Sequence, residues 1–178
     1  MVAISLEKQS LLTQESVREL FDYHPDIGIL THKTTRHNRV RVGDVLGYIH
    51  QGHGHVVCEI NGRAYQLHRV IWLWEYGEWP DRQVDHENEI KTDNRICNLR
   101  QATNGENQRN VGKLQRNNTS GVKGVQWNKR QKKWLAIITV DAKVLVVARC
   151  DDLHKAAAAR RAAELKYFGE FAPMSPAL

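Results

Sequence analysis

The stretch VDHENEIKTDNRICNLRQATNGENQRN, from Val84 to Asn110, sets Asp85 and His86 side by side and then places Asn94, Asn98, Asn107 and Asn110 among arginines. Carboxylates, imidazoles and amides are costly to bury unless paired, so a stretch this polar is a poor way to write a scaffold. Hydrolysis of a phosphodiester needs a water made nucleophilic, charge stabilisation on the phosphoryl oxygens, and help for the departing oxygen. Asp85 offers an anionic oxygen to a hard cation such as Mg2+, and an asparagine carbonyl on a facing helix is a compatible second ligand. Neighbours on a strand point to opposite faces, which casts His86 as the base rather than a co-ligand. An imidazole with its ordinary pKa of about 6.5 suits that task at neutral pH. Asn98 is placed to orient that ring or the loop that carries it. On the residues alone, a nuclease stands beside a non-catalytic cluster of turn-forming Asn and Asp.

The elements that must hold these groups follow from pattern. Gln83 to His86 reads as a short strand, Asn88 to Asn94 as a loop, and Arg95 to Arg100 as a second extended piece. Thr103 with Glu106 three residues on is a capping-box signature for a helix that carries Asn107 and Asn110. Just upstream, LHRVIWLWEY has helical spacing, with Leu67, Ile71 and Trp74 on one face, and Gly77 and Pro80 stop it. Its tryptophans, with Trp79, are expected in the core, with base stacking as the alternative; His68 in this helix is left without an assigned role.

Before that helix, the chain reads as a small twisted sheet. LFDYHPDIGILTH pairs two apolar runs across a turn, DVLGYI and HVVCEI read as strands, and Asn61-Gly62 makes a hairpin into RAYQLHRV. Ser16 to Phe21 is a candidate short helix, Ser5 to Thr13 is ambiguous, and Arg36 to Arg41 is a basic loop. His50, His53 and His55 crowd a glycine-rich turn, but their spacing fits no ligand pattern, so a structural or exposed role is expected. After Val111, KLQRNNTSG reads as a linker. Val122 to Trp127, Lys133 to Val140 and Lys143 to Arg149 read as three strands, and DDLHKAAAARRAAELKYFG as a helix with a small alanine face.

The formal charge is +6 over 178 residues, of which 41% are hydrophobic. Charge placement says more than the total. Between Arg100 and Lys133 there are nine lysines or arginines against the single acid Glu106, so the remainder of the chain is slightly acidic. A local basic stretch beside a polar cluster points to a polyanionic partner, and nucleic acid above all. Arg95, Arg100, Arg109, Lys113 and Arg116 are the nearest candidate contacts. Cys58, Cys97 and Cys150 form no CxxC pair, so neither a disulfide framework nor a cysteine zinc site is indicated, and small buried thiols in a reducing cytosol are expected. Without an apolar run of signal or membrane-spanning length, a cytoplasmic protein with no membrane partner is expected.

The Asp-His pair, DNRICNLR and the final ENQRN resemble the HNH endonuclease motif in the asparagine-ended form of phage and intron-encoded homing endonucleases. LFDYHPDIGILTH, the run from Gly43 to Tyr48 and LHRVIWLWEYGEWP resemble the usual lead-in of such proteins. The resemblance implies a ββα-metal fold holding one divalent ion, Mg2+ or Mn2+, and cleavage to 5′-phosphate and 3′-hydroxyl ends. It places Asp85 and Asn107 as metal ligands and His86 as general base, with Asn98 positioning that histidine. One departure is Glu89, which stands after Asn88 where the family usually has glycine. A changed loop shape is expected there, because glycine alone takes positive φ at no cost. SGVKGVQWNKRQKKWLAIITV and AAAARRAAELKYFGEFA resemble the AP2 DNA-binding domain, whose sheet enters the major groove. Lys123, Gln126, Trp127, Lys129, Arg130 and Trp134 are candidate contacts by position, with a core role as the equal alternative for Trp134; the third strand, VLVVARCDD, departs from the basic, aromatic pattern of that family.

The expected fold is α+β: a small β-rich lead-in at 1–65, a ββα-metal HNH unit at 66–112, a basic polar linker at 113–120, and at 121–173 a three-stranded antiparallel sheet packed on one helix. The expected function is a metal-dependent endonuclease that nicks double-stranded DNA as a monomer, in a phage-encoded protein acting in a bacterial cell. A non-catalytic DNA-binding regulator, a dimer and an RNA-directed protein remain as alternatives.

Overall fold

The computed structural model describes residues 12–35, 39–110, 114 and 116–173. The chain divides into two compact units, Met1–Thr103 and Asn104–Leu178. This packing boundary falls ahead of the asparagine-bearing helix, whereas the linker read from composition lies after it. Ser5 to Thr13 and Arg36 to Arg41 fall partly outside the described residues, and Lys113 falls wholly outside them.

In the first unit, helix α1 (Gln14–Leu20) opens with a capping box in which Thr13 and Ser16 exchange side-chain and backbone hydrogen bonds. It leads into the hairpin β1 (Phe21–His24) and β2 (Ile29–His32), registered Phe21 opposite His32. A second sheet has the order β3 (Tyr48–Ile49), β4 (Val56–Ile60), β5 (Arg63–Gln66), with the Asn61-Gly62 hairpin as expected. The strand expected over DVLGYI contracts to Tyr48–Ile49, because Gly43 at φ +87° and Gly47 at φ +101° turn the chain out of extension.

Helix α2 (Leu67–Tyr76) ends at Gly77 in the left-handed conformation, as its pattern requires. Leu67, Val70, Ile71 and Leu73 join Val17, Phe21, Leu30, Ile60, Val84 and Leu99 in one core. Trp72, Trp74 and Trp79 pack against its edge. The last carbonyls of α2, which a helix leaves without internal donors, are taken up by α1: Gln14 Nε2 and Arg18 Nε each donate to Trp74 O at 2.9 Å. A final pair, β6 (Gln83–His86) and β7 (Leu99–Ala102), runs antiparallel with Asp85 opposite Arg100 and His86 opposite Leu99. The second strand begins later than expected, since Ile96–Asn98 forms a turn of 3-10 helix closed by Asn98 N donating to Arg95 O at 2.8 Å.

The second unit begins with helix α3 (Asn104–Asn110). An antiparallel sheet follows in the order β10 (Lys143–Cys150), β9 (Lys133–Val140), β8 (Val125–Asn128). The first of these strands starts at Val125 rather than Val122, because Gly124 takes φ +74° and Ser120 Oγ ties together the carbonyls of Val122 and Val125. Helix α4 (Leu153–Phe168) covers one face with Ala156, Ala157 and Ala163, whose small side chains let it lie close. Among them Arg160 is buried, donating to Ile137 O at 2.7 Å and paired with Glu164 at 3.0 Å. No helix among the described residues is long and apolar enough to cross a membrane.

Candidate active site

His86 closes β6 and is buried, with 4% of its surface exposed. Its Nε2 lies 3.1 Å from Oδ1 of Asn94, which is itself 1% exposed. The Asn94 amide nitrogen donates to Thr92 O at 3.4 Å, which fixes the carbonyl toward the ring. An amide oxygen only accepts, so Nε2 carries the proton and Nδ1 the lone pair. The ring is thereby set in the tautomer a base needs. Burial pushes the His86 pKa below its ordinary value, opposed by the Asn94 hydrogen bond and by the charges of Asp85 and Asp93. At neutral pH the imidazole is uncharged and able to accept.

Asp85, one residue earlier, serves a different partner. Its Oδ2 accepts from Arg100 Nη2 at 3.0 Å and from Nε at 3.3 Å, across the strand pair and nearly out of water. A buried carboxylate is a fitting donor for a hard cation. An ion there would share it with the guanidinium.

Asn98 holds the loop and makes its contacts away from the imidazole. Its Oδ1 accepts from Asn88 N at 3.0 Å, and its Nδ2 donates to Asn88 Oδ1 at 3.0 Å and to Asp93 O at 2.8 Å. Asn88 in turn accepts from Ile90 N at 2.9 Å, and Glu89 N donates to His86 O at 3.0 Å, closing the turn. Within this frame Glu89 takes φ +63°, the conformation a glycine would adopt. The hydrogen bonds on both sides of Glu89 hold it there against the steric cost of its Cβ.

The N-terminal hairpin, in which the sequence showed little chemistry, braces the same loop. Tyr23 Oη accepts from Ile96 N at 2.8 Å and donates to Asn94 O at 3.3 Å. Gly28, at φ +69°, brings the hairpin turn so close that a Cβ there would lie 2.6 Å from the Asn94 carbonyl carbon. Burial pushes the Tyr23 phenol up to about 12.

On its other side His86 meets two further imidazoles. His68, in the first turn of α2, stands edge-on to it with ring centroids 5.0 Å apart, and His55 lies 5.5 Å from His86 and 5.2 Å from His68. Burial pushes the His55 pKa down to about 4 and holds that of His68 well below its ordinary value. Sequence reasoning assigned His55 no site role and none to Asn94. A signal for Asn94 existed in its place inside DNR, opposite the Asp-His pair. For His55 there was none, because only folding brings the 50–55 turn against α2.

Residues 65–109 match the HNH endonuclease family. That match runs from β5 through α3 and contains every residue described above except Tyr23, Gly28 and His55. The chain is also 33% identical over 78 residues to Protein 3.8 of Escherichia phage T7. The aligned part is 42% of this chain and 64% of that phage protein. No solved structure matches the chain. The basic residues predicted from the sequence to meet a nucleic acid are distributed unevenly. Arg95 is committed to Asp93 through two hydrogen bonds of 2.7 and 2.6 Å, which hold the Asp93 carboxyl down at about 2. Arg100 is committed to Asp85.

In the second unit, Asn107 lies half-buried on α3. Arg109, Lys123 and Gln126 line one polar cleft of about 650 Å³. Lys123 Nζ donates to Arg109 O at 3.4 Å, and the Arg109 guanidinium lies over the Phe168 ring at 5.2 Å. Arg116, Lys129 and Arg130 are exposed. Trp127 is 41% exposed and meets Trp134 edge-to-face across β8 and β9 at 5.1 Å. Among the thiols, Cys58 is buried as expected, whereas Cys97 is exposed in the 3-10 turn; all three are free.

Proposed function

We propose that the protein is a metal-dependent HNH endonuclease that hydrolyses phosphodiester bonds of double-stranded DNA, nicking one strand to leave 5′-phosphate and 3′-hydroxyl ends. The observation that carries this reading is His86, inside the matched stretch, with its Nε2 proton committed to Asn94 and its Nδ1 left with the lone pair. In the reaction Nδ1 takes a proton from the attacking water, and Asn94 accepts more strongly from the ring as it becomes an imidazolium. Asn98 keeps the 88–93 loop in place beneath that ring. Asp85 is the residue that would hold a divalent cation, Mg2+ or Mn2+, with Asn107 proposed as a second ligand from the sequence motif alone; such an ion, when bound, supplies charge stabilisation to the phosphoryl and departing oxygens. Arg100 beside Asp85 keeps that carboxylate oriented and adds positive charge near the scissile phosphate.

The second unit is read as an AP2-like tether. Lys123, Gln126, Trp127, Lys129 and Arg130 are its groove contacts, with Arg109, Lys113 and Arg116 on the phosphate backbone, and Arg95 supplements them on the nuclease side. Phosphate contacts of this kind give salt-sensitive affinity. A homing-type, phage-encoded nuclease working as a monomer in the bacterial cytoplasm is the setting consistent with this reading.

The test incubates purified protein with supercoiled plasmid and phage genomic DNA in Mg2+ or EDTA, alongside His86→Ala and Asp85→Ala. Metal-dependent open-circle product is expected. His86→Ala should lose about 10²–10⁴-fold in turnover while keeping DNA affinity. Asp85→Ala should lose metal affinity and turnover together. Linear product formed at the same time as open circle would replace nicking by paired cleavage. DNA binding that survives EDTA, without product on any DNA, would replace the nuclease by a DNA-binding regulator.

A further inference from the structure

We propose that His55, His68 and His86 form a second cation site, selective for a borderline divalent ion of the Zn2+ class, whose occupancy silences the nuclease. Each residue offers one ring nitrogen, and the three nitrogens lie within 4.8 Å of one another. Tetrahedral zinc with bonds of about 2.0–2.1 Å would set them roughly 3.3 Å apart, so a contraction of about 1.5 Å at most completes the site. His68 and His86 are fixed by α2 and β6. His55 is the one that must move, and it follows Gly52 and Gly54 in a turn of the backbone.

A second observation points to a ligand. Nδ1 of His55 and Nδ1 of His68 are buried without a hydrogen-bond partner among the described residues, and His68 is only 2% exposed. Stranding such an atom costs about 1–3 kcal/mol, and a cation among the three rings would supply the missing partner. His86 Nε2–H donating to Asn94 is the arrangement that orients metal-bound histidines, with the second nitrogen fixed by an outer acceptor. Three imidazoles and no carboxylate suit Zn2+, Co2+, Ni2+ or Cu2+ and not Mg2+, which separates this site chemically from Asp85. Of the nearby cations, Lys91 directs its ammonium at His53 O at 2.9 Å, and Arg69 donates to Arg82 O and Pro80 O, each at 3.4 Å.

Silencing follows from the electron count and rests on the nuclease reading; binding does not. The Nδ1 lone pair of His86 either accepts a proton from water or bonds a metal. It cannot do both.

Binding is measured on the full chain by calorimetric titration with Zn2+, and with Co2+ followed by visible absorption. One tight site is expected, unaffected by millimolar Mg2+. His55→Ala and the bulkier His55→Gln, each checked by circular dichroism melting, should weaken Zn2+ by more than the roughly 10–100-fold that loss of an outer supporting residue costs. His53→Ala should stay near the wild-type value. Equal Zn2+ affinity in wild type and both His55 variants would overturn the site. In plasmid cleavage with excess Mg2+, added Zn2+ should inhibit the wild type at its binding concentration. The His55 variants should cleave normally in Mg2+ and resist Zn2+. Full cleavage by Zn2+-saturated wild type would overturn silencing. Absence of Mg2+-dependent cleavage in every protein would defeat the nuclease reading, and the titration would still decide the site.

Discussion

Replacing Asn94 isolates the contribution of one hydrogen bond to the base. In Asn94→Ala, His86 Nε2–H loses an acceptor 3.1 Å away in a place where both partners are buried. The stranded donor costs about 1–3 kcal/mol of stability, and the long 3.4 Å bond from the amide to Thr92 O adds little. The catalytic loss has a separate origin. A neutral imidazole donating to an amide gains about 0.5–1.5 kcal/mol, whereas an imidazolium gains about 1.5–3, so the bond strengthens by roughly 1–2 kcal/mol as the base takes its proton. That difference is about 5–30-fold in rate. Loss of tautomer control lowers the rate further, since a proton moved to Nδ1 removes the lone pair. Single-turnover plasmid cleavage in Mg2+ should therefore show kcat down by about 10–100-fold with KM for DNA unchanged. Asn94→Asp, which keeps an acceptor in place, should recover most of the loss. Wild-type turnover by Asn94→Ala, or a defect entirely in KM, would refute the positioning role.

Three other outcomes follow from the same loop. Gly28→Ala places a methyl against the Asn94 and Arg95 backbone at a positive φ, so it should cost more than about 2 kcal/mol in urea unfolding and lower cleavage with it. Tyr23 has its phenol pKa raised to about 12, so the neutral form is favoured by folding. Its contribution is complete below pH 10 and is lost as pH rises from about 10 through 12; Tyr23→Phe should flatten that alkaline decline in melting temperature while losing about 1–2 kcal/mol at neutral pH. Glu89→Gly should raise stability by about 1 kcal/mol, because the residue already sits at φ +63°, and a drop in melting temperature would show that the side chain contributes more than its strain costs.

The local elements were written into the sequence where short-range rules act alone. Asn61-Gly62 makes its hairpin, Gly77 ends α2 at Tyr76, and Lys133–Val140 pairs as read, because turn chemistry and periodicity need only neighbouring residues. Asp85 and His86 were legible as a chemical pair for the same reason: adjacency on a strand separates them onto two faces. The partner of His86 was not legible. Asn94 and Asn98 are the same residue type in the same loop, and only the 3-10 turn at Ile96–Asn98 decides that one meets the imidazole while the other ties the loop. Tyr23 and Gly28 act on that loop from some 70 positions away in sequence, through contacts that no local pattern encodes. The same holds for His55: its spacing to His68 and His86 means nothing along the chain, and the three rings converge because the core beneath β4, α2 and β6 packs them there. Sequence fixes which groups are available and the short-range geometry around each, whereas burial and long-range packing choose their partners and so their protonation.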